Sequence, residues 1–236
     1  MSIKIGQASL GETGGRNQQP GNQNGRELNI SNWYNGRWLG VLRYKSRKKA
    51  ELAAQTCEAA IKNPNIGYDM DGRNTAYEAA RAVRWDVSRI AKPVETDCSA
   101  LMMLCAVAAG CEAVAALYKK QGNSCTTYCM LHDWPETGDF ELLTGSKYLM
   151  TDANLLRGDV LVSAGHTVMA LEDGKNAEEE TEMVEKSKII VDGKEVTVER
   201  ILKNGTNYVK VRDLAAALDL EVRNKGNIAV LNHKEK

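Results

Sequence analysis

The sequence predicts an α+β protein in which helices pack on a small antiparallel sheet, followed by a second, smaller α+β module. Helical spacing dominates residues 45–110, short strands occupy 155–174, and hairpin signals recur towards the carboxyl terminus. The length of 236 residues allows one or two domains. We therefore expect a first domain over residues 1–174, an acidic linker over 175–187 and a small module over 188–236.

The amino-terminal residues predict a short strand followed by an ordered loop. The strand is expected over residues 3–8. Residues 11–25 contain five Gly, three Gln and three Asn, a composition that does not allow a regular helix. An unstructured tail is the alternative, but the cluster of Trp33, Tyr34 and Trp38 that follows needs a surface to pack on and favours the ordered loop.

Three helical segments follow. Residues 45–61 place apolar side chains at the 3–4 spacing of one buried face and end at Asn-Pro-Asn, and residues 75–85 form a second helical run. Residues 96–99, Thr-Asp-Cys-Ser, are typical of a helix cap. The segment 100–110 after them is apolar on all sides, and a helix of that kind lies in the middle of a domain.

The carboxyl-terminal part of the chain predicts strands. Residues 155–174 indicate two short strands with a glycine between them, so we expect helices first and strands last in the first domain. The acidic segment 175–187 lacks aromatic residues and is typical of a solvated linker. Hairpin turns at Asp192-Gly193 and Asn204-Gly205, a helix from Asp213 and a final hairpin predict the small module.

Composition argues against several classes of protein. Lys plus Arg and Asp plus Glu are both 31, and the zero net charge argues against nucleic-acid binding. The longest apolar stretch, residues 100–110, is much shorter than the roughly 20 residues of a membrane-spanning helix. We expect no secretory signal, and hence synthesis in the cytoplasm. Six cysteines are too sparse for a disulfide scaffold, so we expect reduced thiols.

Cys98 is the first candidate for catalysis. A cysteine in the first turn of a buried helix lies at the positive end of the helix dipole, beside free backbone N–H groups. Both favour the thiolate and lower the pKa of the thiol when a histidine is adjacent. The same N–H groups are suited to stabilising an oxyanion. Cys57, Cys105 and Cys111 are expected to be inert apolar side chains.

Two cysteines and three histidines are the remaining candidates for chemistry. Cys125 and Cys129 have His132 nearby, but no second cluster completes four ligands, so we expect no metal and no cofactor. His132 belongs to a predicted surface loop, and His233 lies in a charged tail. His166 opens an apolar strand and, with a helix-initial cysteine earlier in the chain, has the properties of a general base.

The motifs around these residues resemble those of NlpC-type papain-like cysteine peptidases of the cell wall. The first motif is Thr-Asp-Cys-Ser-Ala-Leu at 96–101. The second combines Arg-Gly-Asp-Val-Leu-Val at 157–162 with Gly-His-Thr-Val at 165–168. The subgroup encoded by phages and prophages of gut Firmicutes is resembled by three further segments: Ile-Gly-Gln-Ala-Ser at 5–9, Gly-Asn-Gln-Asn-Gly at 21–25 and Trp-Tyr at 33–34. The resemblance covers residues 3–174.

This resemblance implies a papain-like core and an endolysin that cleaves an amide bond of bacterial peptidoglycan after release from the host cytoplasm. Cys98 would be the nucleophile and His166 the general base. The backbone N–H of Cys98 would form part of the oxyanion hole. Tyr68 resembles a tyrosine that precedes the nucleophile in this family, although it stands farther upstream; a packed loop aromatic is the alternative.

The third catalytic group is missing from its usual place. In the family, a polar residue on the strand after the histidine strand orients the imidazole, and here no such strand is evident. Glu172 shares the face of His166 but lies six residues, or roughly 20 Å, away. Gln7, Asn22 or Gln23 would supply the orienting group if the amino-terminal strand pairs beside His166.

The last residues resemble the copper amine oxidase N-terminal-like module, which implies no copper. Val-Asp-Gly-Lys at 191–194 and Asn-Tyr-Val-Lys-Val-Arg-Asp-Leu at 207–214 carry this resemblance. It implies wall attachment or self-association through residues 188–236. Two other functions stay open: a papain-like amidase or acyltransferase acting on a substrate other than the wall, and a non-enzymatic wall-binding phage protein with a merely buried Cys98.

Overall fold

The computed structural model describes residues 2–14, 18–177, 184–203, 206–225 and 228–233. The chain forms two compact units, Met1–Ala177 and Glu178–Lys236. Both contain helix and strand, so the predicted α+β class is confirmed. Among the described helices, none has the length and apolar character needed to cross a membrane.

In its described residues, the first unit contains a six-stranded antiparallel sheet and a two-stranded parallel sheet. Its strands are β1 (Lys4–Ala8), β2 (Leu28–Asn32), β3 (Gly40–Tyr44), β4 (Ile66–Tyr68), β5 (Val94–Thr96), β6 (Phe140–Leu143), β7 (Val160–Val162) and β8 (Thr167–Ala170). Its helices are α1 (Arg47–Lys62), α2 (Thr75–Ala82), α3 (Cys98–Ala108), α4 (Glu112–Gln121), α5 (Thr127–His132) and α6 (Ser146–Leu149). The sheet order is β2-β1-β8-β7-β3-β6, and β4 pairs with β5 in parallel.

The helices predicted from sequence are confirmed as α1, α2 and α3, and the predicted strands as β1, β7 and β8. The expected order of helices first and strands last is wrong, because β1, β2 and β3 all precede α1 and join the same sheet as β7 and β8. All five residues of β3 are buried. The strand therefore lacks the alternating pattern by which a half-buried strand is recognised.

Helix α3 lies in the middle of the first unit, as predicted. Every residue from Cys98 to Val107 is buried, and α1 and β8 pack against the helix. The helix begins after Asp97, whose carboxylate accepts a hydrogen bond from the Ala100 N–H at 2.7 Å. The chain turns away at Gly110, with a φ of +87°. Cys98 thus occupies the amino-terminal end of a buried, capped helix.

A buried ion pair ties β3 to the start of β7. The Asp159 carboxylate is fully buried and accepts hydrogen bonds from Arg43 Nε at 3.0 Å and Nη2 at 2.6 Å. It also accepts the Leu156 N–H at 2.8 Å. Gly158, with a φ of +93°, lies so close to α1 that a Cβ would come within 2.7 Å of Ala50. The Gly-Asp part of the sequence motif therefore has a structural role.

The cysteines differ in part from expectation. The free cysteines are buried, and they are Cys57, Cys98, Cys105 and Cys111. Cys125 and Cys129 form a disulfide, so the expectation of reduced thiols is wrong for this pair. The two residues are four positions apart at the start of α5, which places their Cα atoms 5.3 Å apart, a separation that suits a disulfide.

In its described residues, the second unit consists of strands and one helix. Its elements are β9 (Val184–Val191), β10 (Lys194–Lys203), β11 (Thr206–Val209), α7 (Val211–Ala217), β12 (Leu220–Lys225) and β13 (Ile228–His233). The predicted turn at Asp192-Gly193 is confirmed by the pairing of β9 with β10. The predicted turn at Asn204-Gly205 lies outside the described residues, and β9 begins inside the segment predicted as a linker.

Candidate active site

The end of α3 that carries Cys98 is held in place by an arginine. The Cys98 side chain is 7% exposed. The guanidinium of Arg73 donates to Asp97 Oδ2 at 2.6 Å, to Ser99 Oγ at 2.7 Å and to the Cys125 carbonyl at 3.0 Å. Because Asp97 caps the helix, Arg73 ties the start of α3 to the segment before α5 and fixes the backbone around the thiol.

His166 comes directly before β8, and β1 runs antiparallel beside that strand, with Gly6 opposite Met169. The Nε2 atom of His166 lies 2.9 Å from the Oε1 atom of Gln7, a residue 159 positions earlier. Gln7 is one of the three residues that the sequence offers as an orienting group if the amino-terminal strand pairs beside the histidine. That pairing is present.

Helix α3, which begins with the candidate nucleophile, packs on β8, the strand that directly follows the candidate base. The backbone N–H groups of Ser99 and of Thr167, the residue after His166, face the Cys98 thiol closely enough to lower its pKa. The fold therefore brings the Cys98 sulfur to the start of the strand that follows the imidazole.

Burial has the largest effect on the pKa of Cys98. Its pKa is raised to about 11, first by burial and then by the carboxylate of Asp97, against the backbone N–H groups of Thr167 and Ser99, which lower it. This direction is opposite to the expectation of a lowered pKa, so the resting thiol is neutral at pH 7. Burial also lowers the pKa of His166, which leaves its imidazole neutral and able to accept a proton.

Two tyrosines lie near enough to Cys98 for a thiolate there to raise their pKa values. Tyr68, at the end of β4, is half-buried, and burial followed by the charge of Cys98 raises its pKa to about 12. The same two causes raise the pKa of Tyr34, whose hydroxyl donates to Gln7 Oε1 at 3.1 Å. The sequence singles out Tyr68 as a candidate site residue, whereas Tyr34 belongs to a packing cluster and to the resemblance to the phage subgroup. The contact of Tyr34 with Gln7 depends on tertiary structure, which no local pattern reveals.

Asn22 and Gln23 are the other two candidates for orienting the imidazole. Their hydrogen bonds go to residues in or beside the amino-terminal loop. The Asn22 N–H donates to the Pro64 carbonyl at 2.8 Å, and its Oδ1 accepts the Glu27 N–H at 3.2 Å. The Gln23 side chain donates to the Pro20 carbonyl at 2.7 Å. Within the described contacts, both residues stabilise the amino-terminal loop, and Gln7 is the candidate that reaches the imidazole.

Carboxylates anchor this loop beside β4 and β5, and Glu12, Glu27 and Asp69 lie close enough to Glu95 to raise its pKa. Glu95 Oε1 accepts the Gly21 N–H at 2.6 Å, and Glu27 Oε2 accepts the Tyr68 N–H at 2.9 Å. Glu95 is 4% exposed, and its Oε2 has no hydrogen-bond partner among the described residues. Burial, with the neighbouring negative charges, raises the pKa of Glu95 to about 8.

Replacing Glu95 by glutamine should stabilise the first unit at pH 8. A carboxyl with a raised pKa contributes its full stability below the unfolded value of 4.5 and loses it as the pH rises to about 8. The amide does not titrate, and its NH₂ group can donate to the surrounding carboxylates. We expect the Glu95→Gln variant to melt about 2–4 °C higher than wild type at pH 8, as a gain of about 1 kcal/mol implies.

The gain should shrink towards pH 4.5, where the wild-type carboxyl is also neutral, and thermal melts at both pH values measure it. Glu141→Gln, the same change at an exposed position of β6, is the matched control and should leave the melting temperature nearly unchanged. A gain of equal size at both pH values would contradict the ionisation of a buried Glu95.

The residues that the sequence offers for metal binding, Cys125, Cys129 and His132, do not form a metal site. His132 ends α5, is exposed and packs against the ring of Tyr128. Its neighbours Cys125 and Cys129 are joined in the disulfide and offer no thiolate. In the part of the chain that the structure describes, no group of three or more His, Cys, Asp or Glu residues is arranged to hold a metal ion.

Comparison with known proteins matches the first unit to one family. A family model described as an endolysin-like domain matches residues 5–177. No curated protein and no solved structure matches the chain. The matched segment includes α3, β8 and β1, and with them Cys98, His166 and Gln7.

Proposed function

This chain belongs to the endolysin-like domain family, and we propose that it hydrolyses an amide bond in the stem peptide or cross-bridge of bacterial peptidoglycan, with Cys98 as the nucleophile. One observation carries the proposal: the helix that begins with the Cys98 thiol packs on β8, the strand directly after His166, whose imidazole Gln7 contacts at 2.9 Å. A thiol and an imidazole at one site are the groups that acyl transfer through a thioester needs.

In the first half of the reaction, His166 takes the proton of the Cys98 thiol while the sulfur attacks the carbonyl carbon of the substrate amide. A preformed thiolate is not required, because the imidazole accepts the proton as the S–C bond forms. The oxyanion lies at the amino-terminal end of α3, where the Cys98 N–H and the helix dipole stabilise it. His166 then gives its proton to the leaving nitrogen, and the C–N bond breaks to release an amine.

In the second half, water replaces the amine. His166 removes a proton from the water molecule as its oxygen attacks the thioester carbonyl. The S–C bond then breaks, and the Cys98 sulfur regains a proton from the imidazole. The products are a carboxylic acid and a free amine, and the reaction consumes one water molecule.

Gln7 positions the imidazole in this scheme. Its Oε1 atom can only accept a hydrogen bond, so it binds the protonated Nε2 of His166 and leaves Nδ1 as the atom that exchanges protons with Cys98. Tyr34 and Tyr68, whose pKa values respond to Cys98, flank the site and would contact the bound peptide.

We assign wall attachment or self-association to the module over residues 188–236. Its described part has few buried side chains, and Ile190 and Tyr208 are 77% and 55% exposed. A module of this size with apolar side chains in solvent gains stability from a partner surface.

Digestion of purified peptidoglycan of known cross-linking tests the proposed function. Mass spectrometry of the soluble products should show one new free amine and one new carboxyl group for each bond cut, and their position identifies the bond. Intact sugars with cut peptides support the proposal. Sacculi that remain unchanged, or cleavage of glycosidic bonds, would refute it. If the sacculi remain unchanged but the protein hydrolyses a soluble amide, a substrate other than the wall is favoured.

A further inference from the structure

A chain of hydrogen bonds runs from the loop before β2 to the candidate base, and its first bond has only one possible direction. The backbone carbonyl of Arg26 can only accept, so the side-chain NH₂ group of Asn29 donates to it, at 2.9 Å. The same NH₂ group donates to Ser9 Oγ at 3.1 Å. The Asn29 amide is thereby oriented, with Oδ1 left as an acceptor.

The orientation of Asn29 fixes the orientation of Gln7. Gln7 Nε2 donates to Asn29 Oδ1 at 3.1 Å and to Ser31 Oγ at 3.2 Å. The Oε1 atom of Gln7 then faces the other way, where it accepts from the Tyr34 hydroxyl at 3.1 Å and lies 2.9 Å from His166 Nε2. The Gln7 side chain is 7% exposed, so solvent does not readily replace these partners.

The orientation of Gln7 in turn fixes the tautomer of His166. Gln7 Oε1 has no proton to give, so the 2.9 Å contact is a hydrogen bond only when His166 Nε2 carries the ring proton. The lone pair of the neutral imidazole is then on Nδ1. If the Gln7 amide rotated by 180°, its NH₂ group would face Nε2 and favour the opposite tautomer, whose protonated Nδ1 cannot accept a proton from the thiol.

We propose that Asn29 is a positioning residue that sets the tautomer of His166 through Gln7. The structural part of this proposal concerns the tautomer alone, and its catalytic consequence rests on the proposed function. Asn29 does not touch the reacting atoms. The Arg26 carbonyl orients the amide of Asn29, this amide orients that of Gln7, and Gln7 Oε1 then faces the imidazole. Tyr34 supports the same orientation from the other side of Gln7.

The tautomer can be measured directly on the full chain. Two-bond ¹H–¹⁵N correlation spectra of ring-labelled histidine distinguish Nε2–H from Nδ1–H, and spectra of His132→Gln and His233→Gln variants assign the His166 signals. Above the pKa of His166, wild type should be in the Nε2–H form. Asn29→Ala should raise the Nδ1–H population at least threefold, whereas Asn29→Asp keeps an acceptor towards Gln7 and should retain the wild-type tautomer.

Asn32→Ala is the matched control. Asn32 ends the same strand, is exposed, and accepts a hydrogen bond from the Lys4 ammonium at 2.7 Å, away from Gln7. On purified peptidoglycan, Asn29→Ala should lower kcat about tenfold with little change in KM, and Asn29→Asp should recover most of the loss. Asn32→Ala should match wild type in tautomer and in rate.

The proposal is overturned if wild-type His166 is in the Nδ1–H form, or if Asn29→Ala leaves the tautomer unchanged, whatever happens to the rate. A rate loss without a tautomer change would likewise refute the role assigned to Asn29. If Asn29→Ala does not fold, the wild-type tautomer together with a Tyr34→Phe variant, which should also gain Nδ1–H, decides the question. Failure of the proposed function would appear separately, as wild-type protein with the Nε2–H tautomer and no peptidoglycan cleavage.

Discussion

Peptidoglycan cleavage by the Cys98→Ala variant should be at least about a thousandfold slower than cleavage by the wild-type protein. Alanine removes the sulfur that bonds to the acyl group. The hydroxyl of Ser99 at the same end of α3 already hydrogen-bonds with Asp97 Oδ1 at 3.0 Å and Arg73 Nη2 at 2.7 Å. The substitution is small and keeps the Asp97 cap, so the helix should form as before. Loss of turbidity of a sacculus suspension measures the rate, and thermal unfolding followed by circular dichroism verifies the fold.

Cys111→Ala is the matched control for this experiment. Cys111 is a second buried, free cysteine at a helix start, the N-cap of α4, and burial raises its pKa to about 12. The charged neighbours of Cys111 are Asp139 and Lys49. The Cys111→Ala protein should clear sacculi at close to the wild-type rate. Clearing by Cys98→Ala at that same rate would exclude Cys98 as the nucleophile.

The Asp159→Ala variant should lose about 3–5 kcal/mol of the free energy of unfolding of the first unit. Alanine leaves the Arg43 guanidinium, 7% exposed as a residue, without the carboxylate that accepts two of its N–H groups. The Leu156 N–H loses its acceptor as well. The melting temperature should fall by about 6–20 °C, which differential scanning calorimetry measures.

Two further variants test whether the loss of stability is specific to the buried pair of Arg43 and Asp159. Arg81→Ala removes the exposed ion pair with Glu78 on α2 and should change stability by at most about 0.5 kcal/mol. The double variant Arg43→Met/Asp159→Leu removes both buried charges together and should recover part of the loss. An Asp159→Ala protein that melts like wild type would contradict a stabilising role for the pair.

The helix that carries Cys98 could be predicted because its signals are local. A side-chain acceptor at residue 97 followed by an unbroken apolar run to a glycine specifies a capped, buried helix without reference to the rest of the chain. The protonation state of Cys98 could not be predicted in the same way. It depends on how much of the thiol is removed from water, and burial of Cys98 in the packed first unit is the largest cause of its raised pKa.

The amino acid sequence by itself determined the α+β class, the cap and helix that present a thiol, and the apolar strand that an imidazole precedes, because each depends on neighbours a few positions away. Only the tertiary structure decided which of Gln7, Asn22 and Gln23 faces His166. Gln7 reaches the imidazole because β1 pairs with β8 across 159 positions of chain. The partner and register of such a strand are set by which faces become buried when the whole sheet assembles, and no local pattern encodes that choice.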